Sequence, residues 1–230
     1  MEVLLGTAAA VLIGAVAYTL FSRRARGATV APAATPAAVE PHRPDIRAVK
    51  RGDAITFWNG TDATVLGRAS CRETIRGRST VWEWIFLSRD RVLEVLPTGM
   101  ALYDGQAVAQ QGSALYEMLV GAGGALKRFE GNVREGIAHE PIHVDIDETR
   151  FRVRATGTFL GQVEGEPHDD AREVWSSMST NADENVYFKM VEATDEEGGA
   201  IALGIWTSHI LILLGRRIAR DEISDILAAG

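Results

Sequence analysis

The stretch Val3–Phe21, VLLGTAAAVLIGAVAYTLF, holds no charged residue, in a chain of 230 residues of which 24% are charged. As an α-helix it would be about 28 Å long, close to the hydrocarbon thickness of a bilayer. Lipid offers no partner to a backbone N–H or C=O, so a run of this length reads as one spanning helix with its amides satisfied internally. Arg23, Arg24 and Arg26 follow the run, and only Glu2 precedes it. Basic flanks stay on the cytoplasmic side, which orients the rest of the chain toward the cytoplasm. A cleaved signal peptide has the reverse order, with its positive charge ahead of a shorter apolar region. The expectation is a single-pass anchor over residues 1–22, held in a cell inner membrane or plasma membrane.

Residues 23–45 contain Pro32, Pro36, Pro41 and Pro44 among many alanines and almost no large apolar side chains. Such a segment cannot build a core and reads as an extended tether. About 185 residues remain, enough for one domain. The formal charge of −7 argues against nucleic acid as a partner, because that role needs a basic face. Cys71 is the single cysteine, so no internal disulfide forms.

From residue 46 to 216 the patterning is that of strands. Ala54–Trp58 runs into Asn59-Gly60, a strong hairpin signal. In Thr80–Leu87, Trp82, Trp84 and Phe86 alternate with Glu83 and Ile85, which sets three aromatics on one face of a strand. That face is expected in the core, with the lining of a ligand cavity as the alternative. Arg91–Leu96 returns as the partner strand. Gly105–Lys127 breaks the rhythm with a helix that its glycines limit to two or three turns. Ile142–Ile146, Phe151–Val163, Val186–Thr194 and Ala200–Leu214 read as further strands, and residues 217–230 as a short amphipathic helix through Ile218, Ile223, Ile226 and Leu227. The fold class expected is mainly β, a sandwich or partly closed barrel with one or two short helices, behind the transmembrane helix.

One motif has the letters of a zinc hydrolase. His139-Glu140-Pro141-Ile142-His143 matches HExxH, which works only on a helix that sets both imidazoles on one face. Pro141 removes a helical hydrogen bond, and Ile142–Asp147 alternates like a strand, so no zinc site is expected there. The chain has no phosphate-binding glycine loop with its lysine, no G-x-S-x-G and no cysteine pair. His168, Asp169 and Asp170 read as a hydrated turn.

A succession of short motifs remains: Gly52-Asp53-x-Ile55, Val65-Leu66-Gly67, Trp82-x-Trp84-x-x-Leu87 and Val92–Leu96. It continues with Gly157-x-x-x-x-Gly161-x-Val163-Glu164-Gly165-Glu166-Pro167 and Glu184-x-x-Tyr187-Phe188-x-Met190-Val191-Glu192. Over residues 46 to about 210 this order resembles the bacterial domain-of-unknown-function family 4178. The resemblance implies an envelope-associated accessory role, near membrane-stress proteins like phage shock protein A and near polyamine-synthase-like genes. It assigns no reaction, catalytic residue or cofactor, and none is expected. The leading expectation is a non-enzymatic adaptor or sensor that recruits a protein partner at the membrane. The alternatives are a small-ligand binder, for instance for a polyamine held in an acidic and aromatic cavity, and a zinc-dependent hydrolase acting through the HEPIH stretch. Candidate partner or ligand contacts are Trp82, Trp84, Glu164, Glu166 and Glu184.

Overall fold

Strand pairing in the protein closes a ring. A computed structural model describes residues 45–136, 141–181, 184–194, 199–207 and 209–229. The expected anchor and nearly all of the tether lie outside these residues. Among the described residues no helix is long and apolar enough to cross a membrane. The strands are β1 (Ala54–Phe57), β2 (Asp62–Ile75), β3 (Arg78–Leu87), β4 (Arg91–Leu96), β5 (Gly99–Ala109), β6 (His143–Ile146), β7 (Thr149–Thr158) and β8 (Leu160–Gly165). They continue with β9 (Val186–Glu192), β10 (Ile201–Trp206), β11 (Ile210–Ile218) and β12 (Ile223–Leu227). Three helices interrupt them: α1 (Ala114–Val120), α2 (Ala125–Glu135) and α3 (Arg172–Ser176).

The protein is mainly β, with antiparallel pairs throughout. Neighbours follow the order β12-β1-β2-β3-β4-β5-β11-β10-β9-β7-β6, and β8 pairs back onto β2. Only Phe159 separates β7 from β8, so one nearly continuous strand pairs with β9 through its first part and with β2 through its second. The sheet thereby curls into a barrel. β2 serves both neighbours in turn, Asp62–Thr64 against β1 and Gly67–Arg72 against β8. A bulge between Val65 and Gly67 marks the change. Closure leaves β12 and β6 as the end strands of this order, each short and paired on one side only.

Period-two alternation sorts the side chains. Trp82, Trp84 and Phe86 from β3, Ala101 and Tyr103 from β5, Leu203 and Ile205 from β10, and Leu211 and Leu213 from β11 fill the interior. Phe159 and Trp175 of α3 join them, so the short helix plugs the lumen. The intervening residues face outward and are covered in their turn. Ile85, Leu87 and Leu93 pack with Ile55 and Phe57. Phe188, Met190, Ile210 and Ile212 pack with Leu119 of α1 and Leu126 of α2. The strands are consequently buried on both faces over much of their length.

Three details depart from the sequence reading. Ala200–Leu214 is two paired strands, β10 ending at Trp206 and β11 starting at Ile210, with Thr207 N–H donating to the His209 carbonyl. The helix near Gly105–Lys127 is instead two helices, split at Gly121–Gly124, and α2 extends to Glu135. The C-terminal segment is not a helix. β11 continues to Ile218, a single 3-10 turn spans Arg220–Glu222, and β12 then adds to the edge of β1. Ile223 and Ile226 are three apart, which looked helical, because the register shifts opposite Thr56 and Phe57 and lets both pack on the core beneath β1.

Candidate functional site

Glu94 is the charged residue most deeply buried in the lumen. It projects inward from β4 beside Val92 and is 2% exposed. A carboxylate there requires donors, since an unpaired buried charge costs several kcal/mol or changes its protonation. Three side chains supply them. Trp84 Nε1–H from β3 donates to Oε1 at 3.2 Å, and the Tyr103 hydroxyl from β5 donates to Oε2 at 3.0 Å. Lys189 Nζ from β9 donates to Oε1 at 2.9 Å. Burial, followed by the Glu94 charge, pushes the Tyr103 phenol well above its usual range, so Tyr103 stays protonated and keeps donating.

Beside this cluster lies a cavity of about 350 Å³, lined by Glu94, Tyr103, Lys189 and Arg217 together with aliphatic side chains. Leu96, Ala101, Val191 and Ile201 are among these, and the turn from β4 to β5 forms part of the wall. The charges are layered. Glu94 sits at the closed end, whereas Lys189 keeps 30% of its side chain exposed and Arg217 lies at the surface. An ammonium has three donors, and Lys189 spends one on Glu94, leaving others for a bound group. Arg47, just before β1, donates to the Leu96 carbonyl at 3.3 Å on the same β4–β5 turn.

A second polar site lies farther along β9. The Tyr187 hydroxyl donates to Glu73 Oε2 at 2.8 Å, and burial with that carboxylate raises its phenol pKa. Gly157 admits this pair, because a Cβ there would stand 2.1 Å from Glu73 Oε1 and 2.7 Å from the Tyr187 oxygen. Outside the barrel a groove of about 580 Å³ runs past Trp58, which is 78% exposed, and past Asp104, Asp221 and Glu222. Arg91 lies 5.4 Å over the Phe57 ring in its wall.

The residues singled out from sequence are not gathered in one place. Trp82 and Trp84 are interior, 5% and 0% exposed, with ring centroids 5.8 Å apart. Glu164 is exposed on β8, and Glu166 is exposed in an ion pair with Arg51 at 2.7 Å. Glu184 is exposed, its carboxyl held below the usual range by hydrogen bonds from Ser179 and Asn181. None of the three glutamates lines the cavity. His139 and Glu140 lie outside the described residues. His143 opens β6, a strand, so its ring does not share a helical face with any residue of the motif. Among the described residues no group of three or more His, Cys, Asp or Glu could hold a metal ion.

Sequence reasoning passed over Glu94 and Lys189. The available signal was one charge standing alone on its own face of each of two strands, with apolar or aromatic same-face neighbours, Val92 and Leu96 for Glu94, Tyr187 and Val191 for Lys189. Compared with known protein families, curated proteins and solved structures, the chain matches none.

Proposed function

We propose that the protein is a non-enzymatic, membrane-tethered sensor whose barrel binds a small molecule in the cavity beside Glu94. The observation that carries this reading is the Glu94–Lys189 pair with Trp84 and Tyr103, a polar cluster that satisfies both Glu94 oxygens and leaves Lys189 with donors to spare beside an aliphatic pocket. Ligand sites have this form, mostly apolar walls with a few fixed polar groups that set orientation, and eight-stranded barrels are just wide enough to hold one small ligand. The apolar N-terminal run and the arginines after it supply the membrane attachment, and a protein partner at the envelope would receive the signal. The resemblance to family 4178 is consistent with such an accessory role.

Native mass spectrometry of the full chain released from membranes tests the binding. The expected result is a small-molecule adduct on the wild type that is lost in Lys189→Met. A chain that flies at its bare mass, and that no small-molecule mixture stabilises against heat, contradicts the reading.

The groove at Trp58 favours a second reading, a cationic ligand such as a polyamine. An exposed indole beside Asp104 and Asp221 offers both cation–π attraction and countercharge, while Glu222 is already paired with Arg216 at 2.7 Å and Arg91 also lines the groove. Spermidine quenching of tryptophan fluorescence that disappears in Trp58→Phe would support it. Quenching that is absent, or that persists in the variant, would remove it.

A further inference from the structure

We infer that the ligand of the barrel cavity carries a single anionic head on an aliphatic body; this rests on the binding reading above and names its chemical class. The charged residues lining the cavity are Glu94, Lys189 and Arg217. Glu94 is satisfied from within the barrel. Oε1 accepts from both Trp84 and Lys189, and Oε2 accepts from Tyr103. A ligand ammonium would therefore have to displace Lys189, a cation already held in place by the chain, at no net gain in charge.

The Arg217 guanidinium has no such partner, since it makes no hydrogen bond or ion pair with a described residue; only the Arg217 carbonyl accepts, from Arg216. The Glu94–Lys189 pair sums to zero charge, so Arg217 leaves the lining at one net positive charge, placed at the solvent side. Lys189 lies between the two, with donors unused by Glu94. An incoming anion meets Lys189 and Arg217 at the mouth and does not reach Glu94 at the closed end. Behind these cations the wall is aliphatic, with the inward-facing Leu96, Ala101, Val191 and Ile201 along it. Water held against that wall is released when an alkyl body replaces it. A carboxylate or a phosphate would satisfy the head position equally, and the chemistry they share is the proposal.

The test is calorimetric titration of the full chain in nanodiscs, with empty nanodiscs as reference, using octanoate, octyl phosphate, octanol and octylamine. One or both anions are expected to bind about tenfold more tightly than octanol, with octylamine weaker still. The anion preference should fall to near unity in Lys189→Met. Arg217→Met, an exposed side chain outside the buried pair, should reduce it several-fold and keeps the test open if Lys189→Met fails to fold. Octanoate against octyl phosphate identifies the head. Octanol or octylamine binding as tightly as the anions would overturn the anionic class while leaving a ligand cavity. Binding by none of the four would overturn it as well, and the adduct seen or missed in native mass spectrometry then decides whether the cavity reading survives.

Discussion

Lys189 Nζ lies 2.9 Å from Glu94 Oε1, although the two residues are 95 apart in sequence and stand on strands that are not neighbours. Between β4 and β9 the sheet order inserts β5, β11 and β10, so the bond crosses the lumen and does not run along the sheet. It depends on closure of the barrel, and it places an ion pair where hydrocarbon would otherwise pack.

That placement sets the first expectation. Lys189→Met leaves a buried carboxylate with its countercharge gone and should cost about 3–5 kcal/mol. Glu94→Leu combined with Lys189→Met removes both charges and should recover most of the loss. Urea denaturation of the wild type, Lys189→Met, Glu94→Leu and the double variant measures this; a double variant as unstable as the sum of the two single changes contradicts it.

Trp84 is fully buried, with Phe159 and Trp175 at 5.3 and 5.7 Å between ring centroids. Trp84→Ala removes that packing together with a donor to Glu94 and should cost about 3–5 kcal/mol or more, a large part of a total near 5–15 kcal/mol. Trp58→Ala, at a surface position, should change stability by less than about 0.5 kcal/mol. Equal melting temperatures for the two variants would contradict the packing described.

The seam that closes the barrel has its own test. A Cβ on Gly67 of β2 would stand 2.3 Å from the Glu164 carbonyl oxygen and 2.9 Å from the Glu166 nitrogen, both backbone atoms of the facing strand and its end. Neither can swing aside as a side-chain tip can. Gly67→Ala should therefore part β8 from β2 and destabilise by about 1–3 kcal/mol. Gly99→Ala, with open space around its Cβ, serves as the control. Faster amide exchange in β8 of the Gly67 variant locates the damage; unchanged exchange there contradicts the closure.

Alkaline pH should weaken the fold. Burial raises the Cys71 thiol and the Tyr103 phenol above their usual values, and Glu94 adds to both. Above about pH 8.5 for the thiol and about 10 for the phenol, the unfolded chain gives up protons that the folded chain retains. Stability contributed by these groups is complete below those values and falls as pH climbs toward the raised ones. The urea midpoint should drop between pH 8 and 11, less steeply in Tyr103→Phe. A midpoint that rises over this range contradicts the assignment. Cys71 should also resist thiol reagents in the native protein and react on unfolding, so its labelling reports on folding and not on which side of a membrane it lies.

Much of the fold was legible because period-two patterning is local. Trp82, Trp84 and Phe86 announce one buried face, and Asn59-Gly60 announces the first hairpin, in which Gly60 has a φ of 77°. The β6 strand was legible from Pro141 and the alternation after it. Closure was not, because nothing near Gly67 or Glu164 states that their strands meet; that pairing joins segments nearly a hundred residues apart. The C-terminal strand was hidden by a bulge that gave Ile223 and Ile226 a helical spacing. The site was hidden for the same reason as the closure. A single glutamate in Arg91–Leu96 and a single lysine in Val186–Glu192 look like exposed positions until the barrel brings them together. Glu164, Glu166 and Glu184 drew notice through the family-like motif, yet they stand on the surface, away from the cavity.

The most direct measurement of the central claim is the indole spectrum of the full chain, labelled with ¹⁵N tryptophan. The chain has five tryptophans, and substitution of each by Phe assigns its N–H resonance. Trp84 donates to Glu94 beside the cavity, whereas Trp58 lies on the outer groove. Addition of octanoate or octyl phosphate, whichever binds, should shift the Trp84 indole resonance in a saturable way and leave that of Trp58 in place. A Trp84 resonance that stays fixed through both titrations, or a shift at Trp58 alone, would contradict a ligand held inside the barrel by Lys189 and its neighbours.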